Sequence, residues 1–292
     1  MGHYVVCIKQ VPDSTQMRID PETGTLIRQG VPVVINPYDL PAIEAALEVK
    51  DRYGGKISVI TMGPPLAAES LKECVGMGCD EGIHLTDRLC AGADTLATTK
   101  MLAAMITRMN EEGEPVDLVF TGKQTIDGDT AQVGPGVATR LHYTQLTYVH
   151  RILNIDFELK KMVVQRKLER GIEVVEARLP ALLMCLPSMR TFRRQDPATL
   201  LQGDAYKVVT RGSKDYGLEP TQVGLKGSPT IVAKTFTPTS KKEGIALNGD
   251  WKSVASELID RLIERKKLAV ISGNGRVGTG EDAMRAREGA GE

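Results

Sequence analysis

A chain of 292 residues with 41% hydrophobic and 25% charged residues has a globular composition and enough length for a sizeable core. Lys plus Arg and Asp plus Glu stand at 37 each, which removes the electrostatic case for nucleic acid or an anionic membrane surface; one Trp and four Phe leave few platforms for stacking bases. Five cysteines, at 7, 74, 79, 90 and 185, make no CxxC and no Cys/His cluster of zinc spacing, so reduced thiols and no metal or iron–sulfur site in this chain are expected.

The chain enters an apolar strand at once, Tyr4–Val11, with no basic segment leading into a secretory region and no run of about 18 apolar residues anywhere. A soluble, cytoplasmic protein without direct membrane insertion is expected. Met17-Arg18-Ile19 and Thr25-Leu26-Ile27 flank Asp20-Pro21-Glu22-Thr23-Gly24, which predicts a small hairpin. A helix from about Pro37 to Tyr53, a strand Lys56–Thr61, a helix from about Leu66 to Met77, a strand Gly82–Thr86, a helix from about Thr95 to Asn110 and a strand Val116–Thr121 follow. That alternation predicts an α/β, doubly wound parallel sheet.

Directly after the last of these strands comes the polar loop Thr121-Gly122-Lys123-Gln124-Thr125-Ile126-Asp127-Gly128-Asp129-Thr130-Ala131-Gln132-Val133-Gly134-Pro135. In an open α/β sheet such a loop lies where the ligand crevice is built. Asp129 and Gln132 have capping-box spacing, so a helix is predicted to start at Thr130 and to turn its N–H groups and positive dipole end toward an anionic phosphate. Upstream, Asp94 has N-cap spacing to Ala97, with Leu96, Met101 and Leu102 on the core side. That accounts for Asp94 but gives no reason for Thr95, Thr98 and Thr99.

From Thr147 the period changes. Arg151–Ile155, Lys161–Gln165 and Gly171–Glu176 are β-rich runs that should extend the sheet as antiparallel edge strands, and the apolar run Pro180–Pro187 predicts another buried strand. Beyond Ser188 recurrent Pro and Gly read as an arm, and Trp251–Leu268 is an amphipathic helix with Asp250 as its N-cap. The expected organisation is an α/β domain at 1–187, a loop and arm at 188–249, a C-terminal helix at 250–270 and a flexible tail at 271–292.

Two motifs are decoys. Gly273-Asn274-Gly275-Arg276-Val277-Gly278 matches GxGxxG, but the 14 residues after Gly278 leave no room for the helix, second strand and acidic residue that the motif requires. Gly122-Lys123 is not a P-loop, because Gln124 stands where Ser or Thr would bind magnesium. The four histidines have no acid or nucleophile partner in a recognisable motif.

The loop Gly122–Gln132 resembles the nucleotide loop of electron-transfer flavoprotein beta subunits. The likeness continues through Cys7-Ile8-Lys9-Gln10-Val11-Pro12, Asn36-Pro37-Tyr38-Asp39 and Met62-Gly63-Pro64, and covers residues 4 to 186 strongly. The resemblance implies an adenine-nucleotide alpha-hydrolase-like fold with a C-terminal arm, an alpha-subunit partner, and a crevice that holds AMP or, in members that bifurcate electrons, FAD. Ala93–Thr99 and Gly224–Thr230 are similar to the bifurcating group, which favours FAD, with NADH as hydride donor. One electron would then pass to ferredoxin or flavodoxin, and the other through the alpha-subunit FAD to a flavin-dependent dehydrogenase or quinone-linked oxidoreductase.

The flavin carries the redox chemistry, so no catalytic residue is expected. The resemblance places Cys7, Asn36, Tyr38, Asp39 and Met62 near the adenosine end, and Asp94, Thr95 and Thr98 nearer the phosphates or ring system. Gly122, Lys123, Gln124, Thr125, Asp127, Gly128, Asp129, Thr130, Ala131 and Gln132 would surround the pyrophosphate. The Asn-Glu-Pro-Arg-Tyr pattern of the family's dehydrogenase-docking loop is missing after residue 188, which leaves the dehydrogenase open. Two other readings stay open: AMP in the crevice of a simple electron shuttle, and a stand-alone nucleotide-binding sensor.

Overall fold

The computed structural model describes residues 2–13, 18–19, 26–27, 32–189, 193, 197–233, 244–265, 270–271 and 277–278. In chain order its first unit, Met1–Thr237, holds His3–Cys7 (β1), Gln10–Pro12 (β2), Arg18–Ile19 (β3), Leu26–Ile27 (β4), Val33–Ile35 (β5), Leu40–Tyr53 (α1), Lys56–Met62 (β6), Ala68–Gly76 (α2) and Glu81–Leu85 (β7). Thr95–Glu111 (α3), Leu118–Gly122 (β8), Val133–Leu141 (α4), Thr144–Asp156 (β9), Lys161–Leu168 (β10), Gly171–Arg178 (β11), Ala181–Cys185 (β12), Pro197–Ala205 (α5) and Val209–Arg211 (β13) complete it. The second unit, Pro238–Glu292, holds Trp251–Glu264 (α6), whose cap is Asp250, and an antiparallel pair of Val270–Ile271 (β14) with Val277–Gly278 (β15). The GxGxxG segment lies largely, and residues 279–292 wholly, outside the described residues, as does most of the loop after Met189.

Nine strands form one sheet in the order β11-β10-β9-β12-β8-β1-β6-β7-β13. The seven from β9 to β13 run parallel, and β10 is antiparallel to both β9 and β11. This is the expected doubly wound, mostly parallel sheet with an antiparallel edge. Residue type explains the division. All five residues of β1 and of β12 are buried, as central parallel strands covered on both faces require, whereas β9 to β11 mix buried with exposed positions. The predicted small hairpin is present as β3 paired with β4.

Side chains alternate across each strand, so successive residues feed different cores. Tyr4, Val6 and Phe120 pack with Ile43 and Leu47 of α1 and Leu71 of α2; Val5, Cys7 and Val119 pack with Met101 and Met105 of α3 and Val137 of α4. Met101 and Leu102 are core residues as expected, but Leu96 is 51% exposed. Beyond α5, the one-turn helices at 213–216, 220–222 and 224–227 send Tyr216, Leu218 and Val223 into the α3 side of the core. Those turns have no apolar period, and the sequence shows them only as Gly and Pro.

One expected boundary is corrected. The helix after β8 starts at Val133, not Thr130, and Gln132 precedes it without a side-chain cap. Asp129 and Ala131 take left-handed backbone angles, φ 54° and 55°, which an α-helix cannot continue through. The Asp129 carboxylate accepts from the Gln124 side-chain amide instead of capping a helix.

Candidate functional site at the strand ends

The chain builds β1, β6 and β7 outward in one direction and then places β8 on the other side of β1. The carboxyl ends of β1 and β8 therefore flank the topological switch point, where open α/β sheets bind ligands. Cys7 and Gly122 end these two strands, and Met62 ends the neighbouring β6. Cys7 is buried in the core against α3 and α4, and burial pushes its thiol above the ordinary range, so its side chain acts as a packing group.

Asp39 and Asn36 stitch the two walls together. The fully buried Asp39 carboxylate accepts the Lys9 N–H at 2.8 Å, the Gly122 N–H and an Asn36 side-chain bond. Burial pushes Asp39 up to about 7, with those donors and the Lys9 charge pulling the other way. Asn36 donates from Nδ2 to the Gln124 carbonyl at 2.8 Å and accepts the Ile126 N–H at 3.3 Å. Gly122 is required where it stands: a Cβ there would collide with the Asp39 carboxylate and the Tyr38 carbonyl.

Across this seam the Lys9 ammonium pairs with Asp127, at 2.8 Å to Oδ1 and 2.6 Å to Oδ2. Partial burial would raise Asp127, but the Lys9 hydrogen bonds and charge outweigh it and hold the carboxyl below its ordinary value. The Asp129 N–H donates to the Thr125 carbonyl at 2.9 Å, and Gly128 turns close to the Thr125 hydroxyl. Lys123, Thr130, Ala131 and Gln132 complete the loop, and Thr95 Oγ1 donates to Gln132 Oε1 at 3.0 Å, bringing the start of α3 to the start of α4.

These residues fit a phosphate. The buried Thr121 hydroxyl, without a hydrogen-bond partner among the described residues, faces the first turn of α4, where a Cβ on Gly134 would lie 2.7 Å from it. A Cβ on Gly136 would lie 2.5 Å from Thr99 of α3, so the two glycines let α4 start close against both β8 and α3. The left-handed angles at Asp129 and Ala131 are of the kind that gather backbone N–H groups into an anion-binding concavity.

Asp94 is more constrained than sequence reasoning showed. Its Oδ1 accepts the Ala97 N–H at 2.9 Å as the α3 cap, while Oδ2 accepts the Thr230 hydroxyl at 2.7 Å and N–H at 3.2 Å. Its own N–H donates to Ser228 Oγ at 2.8 Å. Asp94 thus fastens 228–230 to the rim of the crevice, and the Thr98 N–H donates to its carbonyl at 2.9 Å. Lys9, Thr121, Ser228 and Thr230 lie in segments that the sequence ties to the site, but the sequence singles out none of them as a site residue; the signal for Lys9 was a cation near the end of an apolar strand beside the switch point.

At the opposite end of the sheet, ligand atoms of His3, Glu81 and Glu114 lie within 4.8 Å of one another. The Lys56 ammonium is already 2.9 Å from Glu81 and 2.8 Å from Glu114, so this group carries its own cation. Among the described residues no helix is long and apolar enough to cross a membrane.

A doubly wound, mostly parallel sheet with a polar, Gly-containing loop at its β1/β8 switch point defines an α/β protein of the class that builds its ligand crevice at the strand ends. The electron transfer flavoprotein domain matches residues 23–202, and the chain belongs to that family as a beta subunit. It is 49% identical over 261 residues to Protein FixA of Bradyrhizobium diazoefficiens, covering 89% of this chain and 91% of that one. It is 44% identical over 263 residues to subunit CarD of the caffeyl-CoA reductase-Etf complex of Acetobacterium woodii, with 89% and 98% covered. The electron transfer flavoprotein subunit beta of Thermoanaerobacterium thermosaccharolyticum is 42% identical over 268 residues, with 90% and 98% covered. The resemblance drawn from the loop and strand-end residues, to beta subunits of the bifurcating type, agrees with these relatives.

Proposed function

We propose that the β1/β8 crevice binds FAD and that the chain, with an electron-transfer flavoprotein alpha subunit, accepts hydride from NADH and bifurcates the electrons. One electron goes to ferredoxin or flavodoxin and the other, through the alpha-subunit FAD, to a flavin-dependent dehydrogenase or quinone-linked oxidoreductase. The observation that carries the FAD reading is the Asp94 clamp: Ala93–Thr99 and Gly224–Thr230, the two segments similar to the bifurcating group, meet through Asp94, Ser228 and Thr230 at the crevice rim. A likeness to CarD, a subunit of a caffeyl-CoA reductase-Etf complex, supports a partner of the dehydrogenase or reductase class.

FAD, when bound, supplies all the redox chemistry, and the residues bind and orient it. Asn36, Tyr38, Asp39, Cys7 and Met62 shape the adenosine end. Thr125, Asp127, Gly128 and the N–H groups from Thr130 to Gln132 surround the phosphates, with Gly122, Lys123, Gln124, Asp129 and Ala131 setting the loop's path. Asp94, Thr95 and Thr98 hold the rim beside them.

Co-expression with the alpha subunit, acid extraction and chromatography of the released nucleotides tests the reading. Two FAD and no AMP per heterodimer is the expected result. One FAD with one AMP overturns it in favour of a simple electron shuttle.

A further inference from the structure

We propose that Lys9 is a phosphate ligand that shares its charge with Asp127: the ion pair spans the crevice seam, and Lys9 exchanges Asp127 for a phosphate of an adenine nucleotide bound there. The inference rests on the crevice being a nucleotide site, and goes beyond it by naming the side chain that senses the anion.

Three observations carry it. Lys9 stands two residues beyond the end of β1, and its backbone is fixed by the N–H bond to Asp39, so its side chain starts from a rigid point at the switch point. Its ammonium crosses to the loop after β8 and meets both oxygens of Asp127, in the loop that leads to the first turn of α4. The pair is half-exposed, with side-chain exposures of 46% and 33%, so water can replace either partner and opening it costs little. Asp127 is also a like charge beside any phosphate bound by that loop. The same contact that holds the seam shut therefore opposes an anion, until Lys9 changes partner.

The two halves of the pair should act with opposite sign. Nucleotide-free full-length chain is titrated calorimetrically with AMP and with adenosine, which shares the base and ribose but lacks the phosphate. Lys9→Gln should weaken AMP about tenfold or more, the value of a charge-assisted bond, and leave adenosine unchanged. Lys9→Arg should keep AMP binding within about threefold of the parent, since the cation persists. Asp127→Asn should tighten AMP by up to about fivefold, the worth of an exposed pair, again with adenosine unchanged. Unchanged thermal melting in each variant separates these effects from misfolding.

If the parent binds AMP but Lys9→Gln binds it equally well, or loses AMP and adenosine in equal measure, Lys9 is only a seam residue and the inference fails. Weaker AMP binding by Asp127→Asn also overturns it. A parent chain that binds neither AMP nor adenosine refutes the nucleotide-site reading itself, and the exchange with it.

Discussion

Gly122→Ala is the sharpest test of the crevice's construction. The added Cβ would overlap the Tyr38 carbonyl and the Asp39 carboxylate, and backbone on one side and a fully buried, multiply bonded side chain on the other cannot both retreat. Overpacking of this kind costs about 1–3 kcal/mol. Displacing Asp39 also weakens its bonds to the Lys9 and Gly122 N–H groups, and losing one charged hydrogen bond adds about 1.5–3 kcal/mol. A destabilisation of about 2.5–6 kcal/mol follows, equivalent to a fall in melting temperature of roughly 5–24 °C for a folding unit of this size. Thermal and urea melts of the full chain measure it, with Gly244→Ala as the control, because a Cβ there meets nothing within 4 Å. A Gly122→Ala protein that melts within about 2 °C of the parent, where the scaling above requires several degrees, would refute the close approach of Tyr38–Asp39 to β8.

Burial raises Asp39 from 3.8 to about 7, so between those values the folded chain holds a proton that the unfolded chain releases. Stability therefore falls as pH rises through that window and is level above it, by about 4 kcal/mol in all for this group. Asp39→Asn should flatten that fall, and urea titrations at pH 5 and 7.5 giving parallel changes in both proteins would contradict the assignment. Arg193→Ala should cost about 3 kcal/mol, because it strips the counter-charge from Glu44, whose side chain is only 7% exposed; the pair Arg193→Ala with Glu44→Gln should recover part of that loss in the same melts. Asp94→Ala with Thr98→Ala should lower the flavin absorbance of the purified heterodimer without dissociating it, and Thr230→Val alone should reproduce part of the loss by opening the clamp; unchanged flavin content would remove that segment from the site.

The parts of the fold that were legible in the sequence are those written in local periods. β8 and its loop stand out because an apolar run meets a Gly-containing polar stretch, and β9 to β11 because β-rich runs alternate with polar turns. The slot of β12 between β8 and β9 is set by long-range pairing and leaves no local trace. The start of α4 was misplaced because capping-box spacing cannot reveal that Asp129 and Ala131 turn left-handed. Lys9 looks like any cation beside a strand until Asp127, 118 residues later, is set against it. Asp94 was legible as a cap, yet its second role depends on Thr230, which no spacing rule connects to it.

The position of β12 also dictates an order of assembly. After β8 the chain skips a place, lays down β9 to β11, and only then returns to fill the gap. Until Ala181–Cys185 has left the ribosome, one edge of β8 has no partner, and the wall that carries the Gly122 loop is an open ladder of unsatisfied backbone groups. The contacts that seal the crevice join residues 88 and 118 apart, and loop closures of that length come late. A nascent chain that stops short of residue 185 thus contains every residue of the phosphate loop and still lacks the sheet that holds it in place.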